Sequence, residues 1–600
     1  MSRHFLSLHR FSQEVHLWSL QMKRIMGAKG YVLLLCVIVG VVSGLAAVLL
    51  KTFTHEWHDL LYSLAGKLPG AVWILPALPA AGIFLCIIFV RLFFNRRPYE
   101  KSLAGVITST TNGTGDLPAG KMFSHIITSG IAVGAGASAG LEAPIALTGS
   151  AIGSNFAKWF RLDRESRILL LACGGGAGIS AIFNSPVAGA LFACEILLPS
   201  FSVPALVPLL MASAAAAVVS ELCRSYNPFI QLTAGWTVMN VPWYVFIGVA
   251  AGLLSALVIR TSVVVAKRAE KQKNVWLKGL YGCVVLYLIF LLLPALKGEG
   301  YRFIMDLIRG NENTLPDGGV LSVLFRTPWS LIVLTVVLMF VKPFVSALSV
   351  ESGGDGGIFG PSLFTGAFLG YAISKFLNLT GIAVIDPVNC IAVGMGGVLA
   401  GVMHAPLTGM FLIAELTGGY RLFVPLMIVV ALSSFISKRL VKHNVYKSMI
   451  VLKGGIPEQR DDEVMLTNTR LCDLVEADYP AVHENDTLRG LLKTVMASTR
   501  EIFPVVSDDG RLVGIVRVDS LRKLLLNSEL YDMVLVYDVM SETGPVLDSN
   551  DTLNDAVALF DRLRSWHLPV TEDGKYLGFV SKLGVYDRYR RMLREKHDLF

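Results

Sequence analysis

The sequence predicts an all-α polytopic membrane domain made of two repeats of tilted, broken helices, followed by a smaller α/β tandem pair. Three observations carry this. Hydrophobic residues make up 53% of the 600 and charged residues only 16%, against about 25% charged in a soluble globular chain. Motifs of glycine and proline recur at constant spacing through the apolar part. After about residue 450 the long apolar runs stop and β-branched hairpin patterns take over.

Taken in order, residues 1–29 hold an amphipathic stretch from Phe11 to Met26 that fits an interfacial or cytoplasmic helix. The membrane domain occupies 30–450, with repeats over 30–225 and 240–450. Spans of about 20 apolar residues fall at 30–52, 71–95, 203–222, 242–266, 275–295 and 328–349. Between them run shorter segments cut by Gly and Pro: 122–139, 144–158, 166–181, 186–199, 361–376, 389–402, 406–417 and 421–440. Discontinuous helices of this kind point to a transport site near the bilayer midplane. Gly140, Pro144, Thr148, Gly149 and Gly153 return as Gly357, Pro361, Thr365, Gly366 and Gly370, offset by 217 (357 − 140). Pro186, Gly189 and Glu195 return as Pro406, Gly409 and Glu415, offset by 220 (406 − 186). Two motifs in the same order mean two homologous halves.

Chemistry concentrates in Gly140-Leu141-Glu142-Ala143-Pro144. Glu142 is the one Asp, Glu, Lys or Arg between Lys121 and Lys158. Pro144 fits a first helical turn, where its missing N–H costs nothing. Glu142 then stands just ahead of a helix N-terminus, where exposed N–H groups and the dipole favour negative charge. An ionisable residue at membrane depth is a functional candidate by default; the plainer alternative is a capping glutamate in an ordinary loop.

Residues 451–470 read as a linker, and 471–530 and 535–594 as two similar soluble units. Asp486-Thr487-Leu488, Phe503–Val506, Gly510 and Gly514 recur as Asp551-Thr552-Leu553, Leu568–Val570, Gly574 and Gly578. The Asp-Gly pairs read as hairpin turns.

The net charge of +8 resides largely in clusters at segment ends, such as Lys23-Arg24, Arg96-Arg97, Lys267-Arg268 and Lys438-Arg439. That is membrane topology, not nucleic-acid binding. It suits an integral multi-pass protein of the plasma (inner) membrane with both termini cytoplasmic. The eight cysteines include no C-x-x-C pair, so neither a disulfide framework nor a metal site is indicated. No nucleophile–base set suggests an enzyme.

These motifs resemble the CLC family of chloride channels and proton-coupled chloride antiporters. Gly140–Pro144 is similar to the family's G-R-E-G-P, Gly357-Ile358-Phe359-Gly360-Pro361 to its G-x-F-x-P loop, and Ala405–Thr408 through Glu415–Thr417 to its A-P-L-T…E-L-T signature. The C-terminal part resembles a tandem pair of CBS domains. The resemblance implies inverted halves, a homodimer, and one chloride path per subunit. It assigns Glu142 as the gating glutamate, the backbone N–H groups of Ile358 and Phe359 and the hydroxyl of Tyr446 as anion donors, and Gly140, Leu141, Pro144, Gly357 and Pro361 as motif positions. Three departures follow. The family's G-S-G-I-P serine falls near Tyr99–Gly105, with Ser102 or Lys101 the substitute. Its arginine is Leu141. The inner glutamate of antiporters is Ile196, a side chain that passes no proton, which favours a voltage- or pH-gated channel over an exchanger. A CBS-regulated cation transporter would require a cluster of membrane carboxylates. Glu195 and Glu415 read as structural. No cofactor is expected, with adenine nucleotide at the CBS pair resting on Asp519 and Ser581 in an incomplete site.

Overall fold

The computed structural model describes residues 2–94, 99–200, 203–223, 235–317, 319–320, 322–455, 471–522, 524, 528–563 and 565–588, with backbone alone at 2–20, 323, 473, 528 and 554. Linker residues 456–470, the Arg96-Arg97 cluster, the end of the first repeat at 224–225, the side chains of Phe11–Leu20 and the second soluble unit's tail at 589–594 lie outside them. The chain divides into two units, Met1–Glu458 and Gln459–Phe600.

In the first unit, seven helices among the described residues are long and apolar enough to cross a membrane. They include Val203–Leu222, Val275–Leu292 and Pro328–Glu351 at expected places. Two differences are instructive. The first helix runs from Ser2 to Gly66, broken only at Gly27 with φ 72°, so residues 1–29 and the 30–52 span belong to one longer element. The 166–181 segment is the full helix Arg164–Phe183. Its N-cap is Asp163, whose carboxylate accepts from Ser166 N at 3.2 Å, and this polar first turn is invisible to an apolar count.

The repeat has a packing cause. The helices Glu142–Trp159 and Arg164–Phe183 cross where a Cβ at Gly149 would collide with the Gly174 carbonyl. The helices Phe359–Thr380 and Pro387–Met403 cross in the same way at Gly366 and Gly394. Downstream, Asn184 (φ 55°) and His404 (φ 54°) end the two equivalent helices in left-handed caps. Each is followed by a short helix starting at a proline, Pro186–Phe192 and Pro406–Leu416.

The halves are then tied crosswise. Glu195 accepts from Leu407 N at 3.0 Å, Thr408 N at 2.7 Å and the Thr408 hydroxyl at 2.7 Å. Glu415 accepts from Val187 N at 3.0 Å and Ala188 N at 2.9 Å. Each carboxylate caps the N-terminus of the other repeat's helix, satisfying donors that a helix start leaves open. Ile196, next to Glu195, is buried in a π-helical turn, Ala193–Leu197.

The second unit holds two three-stranded sheets. In one, β1 (Val482–His483) runs parallel to β2 (Ile502–Val506), which pairs antiparallel with β3 (Leu512–Arg517). In the other, β4 (Leu547–Asp548), β5 (His567–Glu572) and β6 (Lys575–Ser581) repeat that order. The β5–β6 turn is Asp573-Gly574, with φ 51° and 81°, the positive pair a tight hairpin demands. Each sheet borrows from the segment that leads into the other. Glu476 bridges Phe579, and Ser541 bridges Ile515.

Candidate functional site

Two non-helical loops meet inside the first unit. Gly140 N donates to Gly357 O and Gly357 N to Gly140 O, each at 2.8 Å, in an antiparallel bridge. From this point the helices Glu142–Trp159 and Phe359–Thr380 begin, one per repeat. Both glycines are required by proximity. A Cβ at Gly357 would press on Ala143, and one at Gly140 would strike the Glu142 carboxylate.

Glu142 is the first residue of its helix, one place further in than the expected position ahead of it, because Leu141 already adopts helical backbone angles. Its side chain is 1% exposed. One carboxylate oxygen accepts from Gly360 N at 3.3 Å, and the other accepts from the Tyr301 hydroxyl. Gly360 lies in the first turn of the opposite repeat's helix. The carboxylate therefore occupies a helix N-terminus, the place an anion would take. Pro144 and Pro361 each sit at the third helical residue.

Beside this lies a cavity of about 500 Å³. Ala143, Gly356, Gly357 and Tyr446 form its buried wall together with the half-buried Ile358, and Arg91, Lys278 and Lys453 its more exposed rim. Ser102 and Lys101 also line it. The Tyr446 hydroxyl has no hydrogen-bond partner among the described residues although it is buried, the condition of a donor awaiting a ligand. The Ser102 hydroxyl accepts from Ala104 N at 3.2 Å, leaving its own hydrogen available. Lys101 is committed elsewhere, donating to Gly354 O at 2.9 Å. Ile358 is the N-cap residue, so the first N–H groups of this helix have no intrahelical acceptor. The Phe359 ring is not on the wall; it packs with its centroid 5.6 Å from that of Phe183 and 6.2 Å from that of Phe192. Glu142 is also off the wall, turned toward Tyr301.

Sequence reasoning missed the outer partners. Tyr301 opens a short helix, Tyr301–Ile308, after Gly298-Glu299-Gly300. That loop folds back onto the first repeat. Gly298 N donates to Gly136 O at 2.9 Å, and Glu299 accepts from Leu141 N at 3.3 Å. Lys342 staples it, donating to Leu296 O at 3.1 Å and Gly298 O at 2.8 Å. A lone lysine inside the 328–349 span was the available signal.

Residues 82–438 match the family described as "Voltage gated chloride channel", more than half of the chain. The chain belongs to the CLC family. Residues 471–527 and 536–588 match CBS domains. A "Putative chloride channel protein ClcB-like" from Ralstonia nicotianae is 29% identical over 415 residues, covering 65% of this chain and 90% of that protein. An "H(+)/Cl(-) exchange transporter ClcA" from Vibrio parahaemolyticus is 27% identical over 349 residues, 55% of this chain and 70% of that one. The crystal structure of a eukaryotic CLC transporter superposes with a TM-score of 0.59 at 20% identity, covering 92% of this chain and 97% of that one. That likeness establishes the fold: inverted repeats of broken membrane helices with a CBS pair. Anion transport across a membrane is the activity of this CLC chain.

In the CBS pair, the two nucleotide candidates are engaged locally. Asp519 pairs with Arg522 at 2.8 Å on an exposed face. The Ser581 hydroxyl donates to Glu476 at 2.6 Å and accepts from Gly584 N at 3.1 Å. Nearby, hydrogen bonding to the Arg500 guanidinium holds the Asp478 carboxyl below its ordinary range.

Proposed function

We propose that this CLC protein passes chloride through the cavity and past Glu142, whose carboxylate swings aside or takes a proton to yield its place to the anion. One observation carries the reading: Glu142 fills the helix N-terminus at Gly360 while the Tyr446 hydroxyl stands unpartnered on the cavity wall. Partial charges from N–H and hydroxyl groups hold an anion without trapping it, as a fixed cation would. The chain acts as a transporter and not as an enzyme, as a homodimer in the plasma (inner) membrane with cytoplasmic termini.

We also read the flux as not tightly coupled to protons. Coupling needs a protonatable group between the inner solution and Glu142. Here Ile196 is hydrocarbon, and Glu195 beside it is spent on the Leu407 and Thr408 amides. Proton-coupled exchange is the second reading, favoured by the relatives named as exchange transporters. Liposomes carrying the purified protein, with chloride and pH followed together, decide between them. The expected result is a reversal potential that follows chloride alone. A pH gradient that drives chloride uphill would establish exchange.

For the CBS pair, the local engagement of Asp519 and Ser581 supports a structural role. Calorimetry of the full chain with ATP, ADP and AMP is expected to show no submicromolar binding; such binding would make the pair a nucleotide sensor.

A further inference from the structure

A polar cluster behind the cavity wall takes no part in the gate. His125, on the helix Lys121–Gly134, and Asp355, in the loop leading to Ile358, have side chains 0% and 1% exposed. His125 Nδ1 lies 2.8 Å from Asp355 Oδ2, which also accepts from the Thr128 hydroxyl at 2.5 Å. Tyr99, a cavity-lining residue, places its hydroxyl 3.1 Å from His125 Nδ1, 3.0 Å from Ser124 Oγ and 3.3 Å from Thr128 Oγ1. His125 Nε2 and Asp355 Oδ1 have no hydrogen-bond partner among the described residues. An ionisable pair buried at membrane depth with two polar atoms unpaired is costly unless it has a task.

Two of the other charges facing this pair meet an opposite charge, while the Lys101 ammonium rests on a neutral carbonyl beside Asp355. On the same helix, Lys121 meets Glu100 at 3.4 Å. From the segment before the helix Ala104–Thr111, Lys101 is bound to the Gly354 carbonyl. At the end of the helix Pro328–Glu351, Glu351 meets Lys278 at 3.0 Å. From the helix Leu78–Phe93, the Cys86 thiol donates to the Thr128 carbonyl at 2.9 Å. One proton on the imidazole therefore sets the net charge of the pair: zero when His125 is protonated, −1 when it is not. That charge sits two residues before Gly357 and three before Ile358 in the loop offered to the anion.

We propose that the His125–Asp355 pair is a second protonation site, separate from Glu142 and beside the anion path rather than on a proton route to the gate, and that its proton strengthens anion binding at the Gly356–Phe359 loop. The inference rests on the chloride path proposed above. The sign follows from charge. With the imidazole protonated the pair is neutral and the loop accepts an anion. With it deprotonated, the pair adds a buried negative charge that offsets the nearby Lys101 ammonium and weakens the hold on the anion, with little water to screen it. Linkage makes the effect reciprocal, so bound chloride favours the protonated imidazole by the same factor.

The test is made with the gate neutralised. Glu142→Gln protein in liposomes, held at equal pH on both sides, is expected to lose chloride flux by roughly fivefold or more as pH is raised from about 5 to about 8. Adding His125→Asn should remove that slope. Adding Asp355→Asn should raise chloride affinity at pH 8, measured by calorimetry in detergent, and this variant keeps the test informative if the histidine variant misfolds. A Glu142→Gln protein that conducts with a flat pH profile overturns this proposal alone, as does a slope that survives His125→Asn. A Glu142→Gln protein that passes no chloride overturns the Glu142 reading and this one with it.

Discussion

Glu142→Gln is expected to raise chloride flux about tenfold or more and to remove the share of the pH dependence that belongs to the gate, leaving only the slope assigned to His125 and Asp355. The carboxylate holds its place through hydrogen bonds from Gly360 N–H and the Tyr301 hydroxyl. Hydrogen bonds to a charged acceptor contribute about 1.5–3 kcal/mol each, roughly twice those to a neutral one. Neutralising the acceptor loosens the side chain by a similar amount, and 1.4 kcal/mol is a factor of ten in occupancy. An anion then competes for the helix N-terminus against a weaker occupant. Tyr301→Phe should act in the same direction by less, because the Gly360 bond remains. Unidirectional chloride efflux from liposomes at pH 5 to 8 measures both. A Gln variant with the wild-type flux and pH profile would put the gate elsewhere.

The outcome also bears on what a sequence can disclose. The Glu142 stretch was legible because a carboxylate flanked by glycines and a proline, deep in apolar sequence, has few ordinary explanations. The two offsets of the repeat were legible for a physical reason. Offset 217 corresponds to the Gly140–Gly357 bridge and the glycine crossings, and offset 220 to the exchanged caps of Glu195 and Glu415. Short helices starting at Pro186 and Pro406 followed from proline at the first turn.

What stayed hidden depends on chain return. Tyr301 lies in a polar connection, and it reaches Glu142 only because Lys342 and Gly136 fold its loop inward. His125 counts as neutral in a charge tally, and Asp355 looks like one more polar residue in a glycine-rich turn. Their meaning arises from a contact across 230 positions of sequence. The first helix was underestimated because polar turns at its ends carry no apolar signal.

Removing both cross-caps should cost the membrane unit more stability than any other pair of substitutions argued here. Glu195→Ala strands the Leu407 and Thr408 amides, and Glu415→Ala those of Val187 and Ala188. Leaving a donor without its acceptor costs about 1–3 kcal/mol, and each alanine strands two part-buried amides. Gln keeps an acceptor and should cost nearer 1–2 kcal/mol. The double alanine variant should fall short of the sum, since both caps tie the same two short helices and the first loss already loosens the second. Thermal unfolding in detergent, read as loss of the folded species by size-exclusion chromatography, gives the ranking. Flux per folded protein should survive Glu195→Gln, with the proton behaviour unchanged, because its carboxylate holds amides and does not relay. A Glu195→Gln protein of wild-type stability with altered proton movement would reassign Glu195 to the proton path and revive exchange as the mechanism.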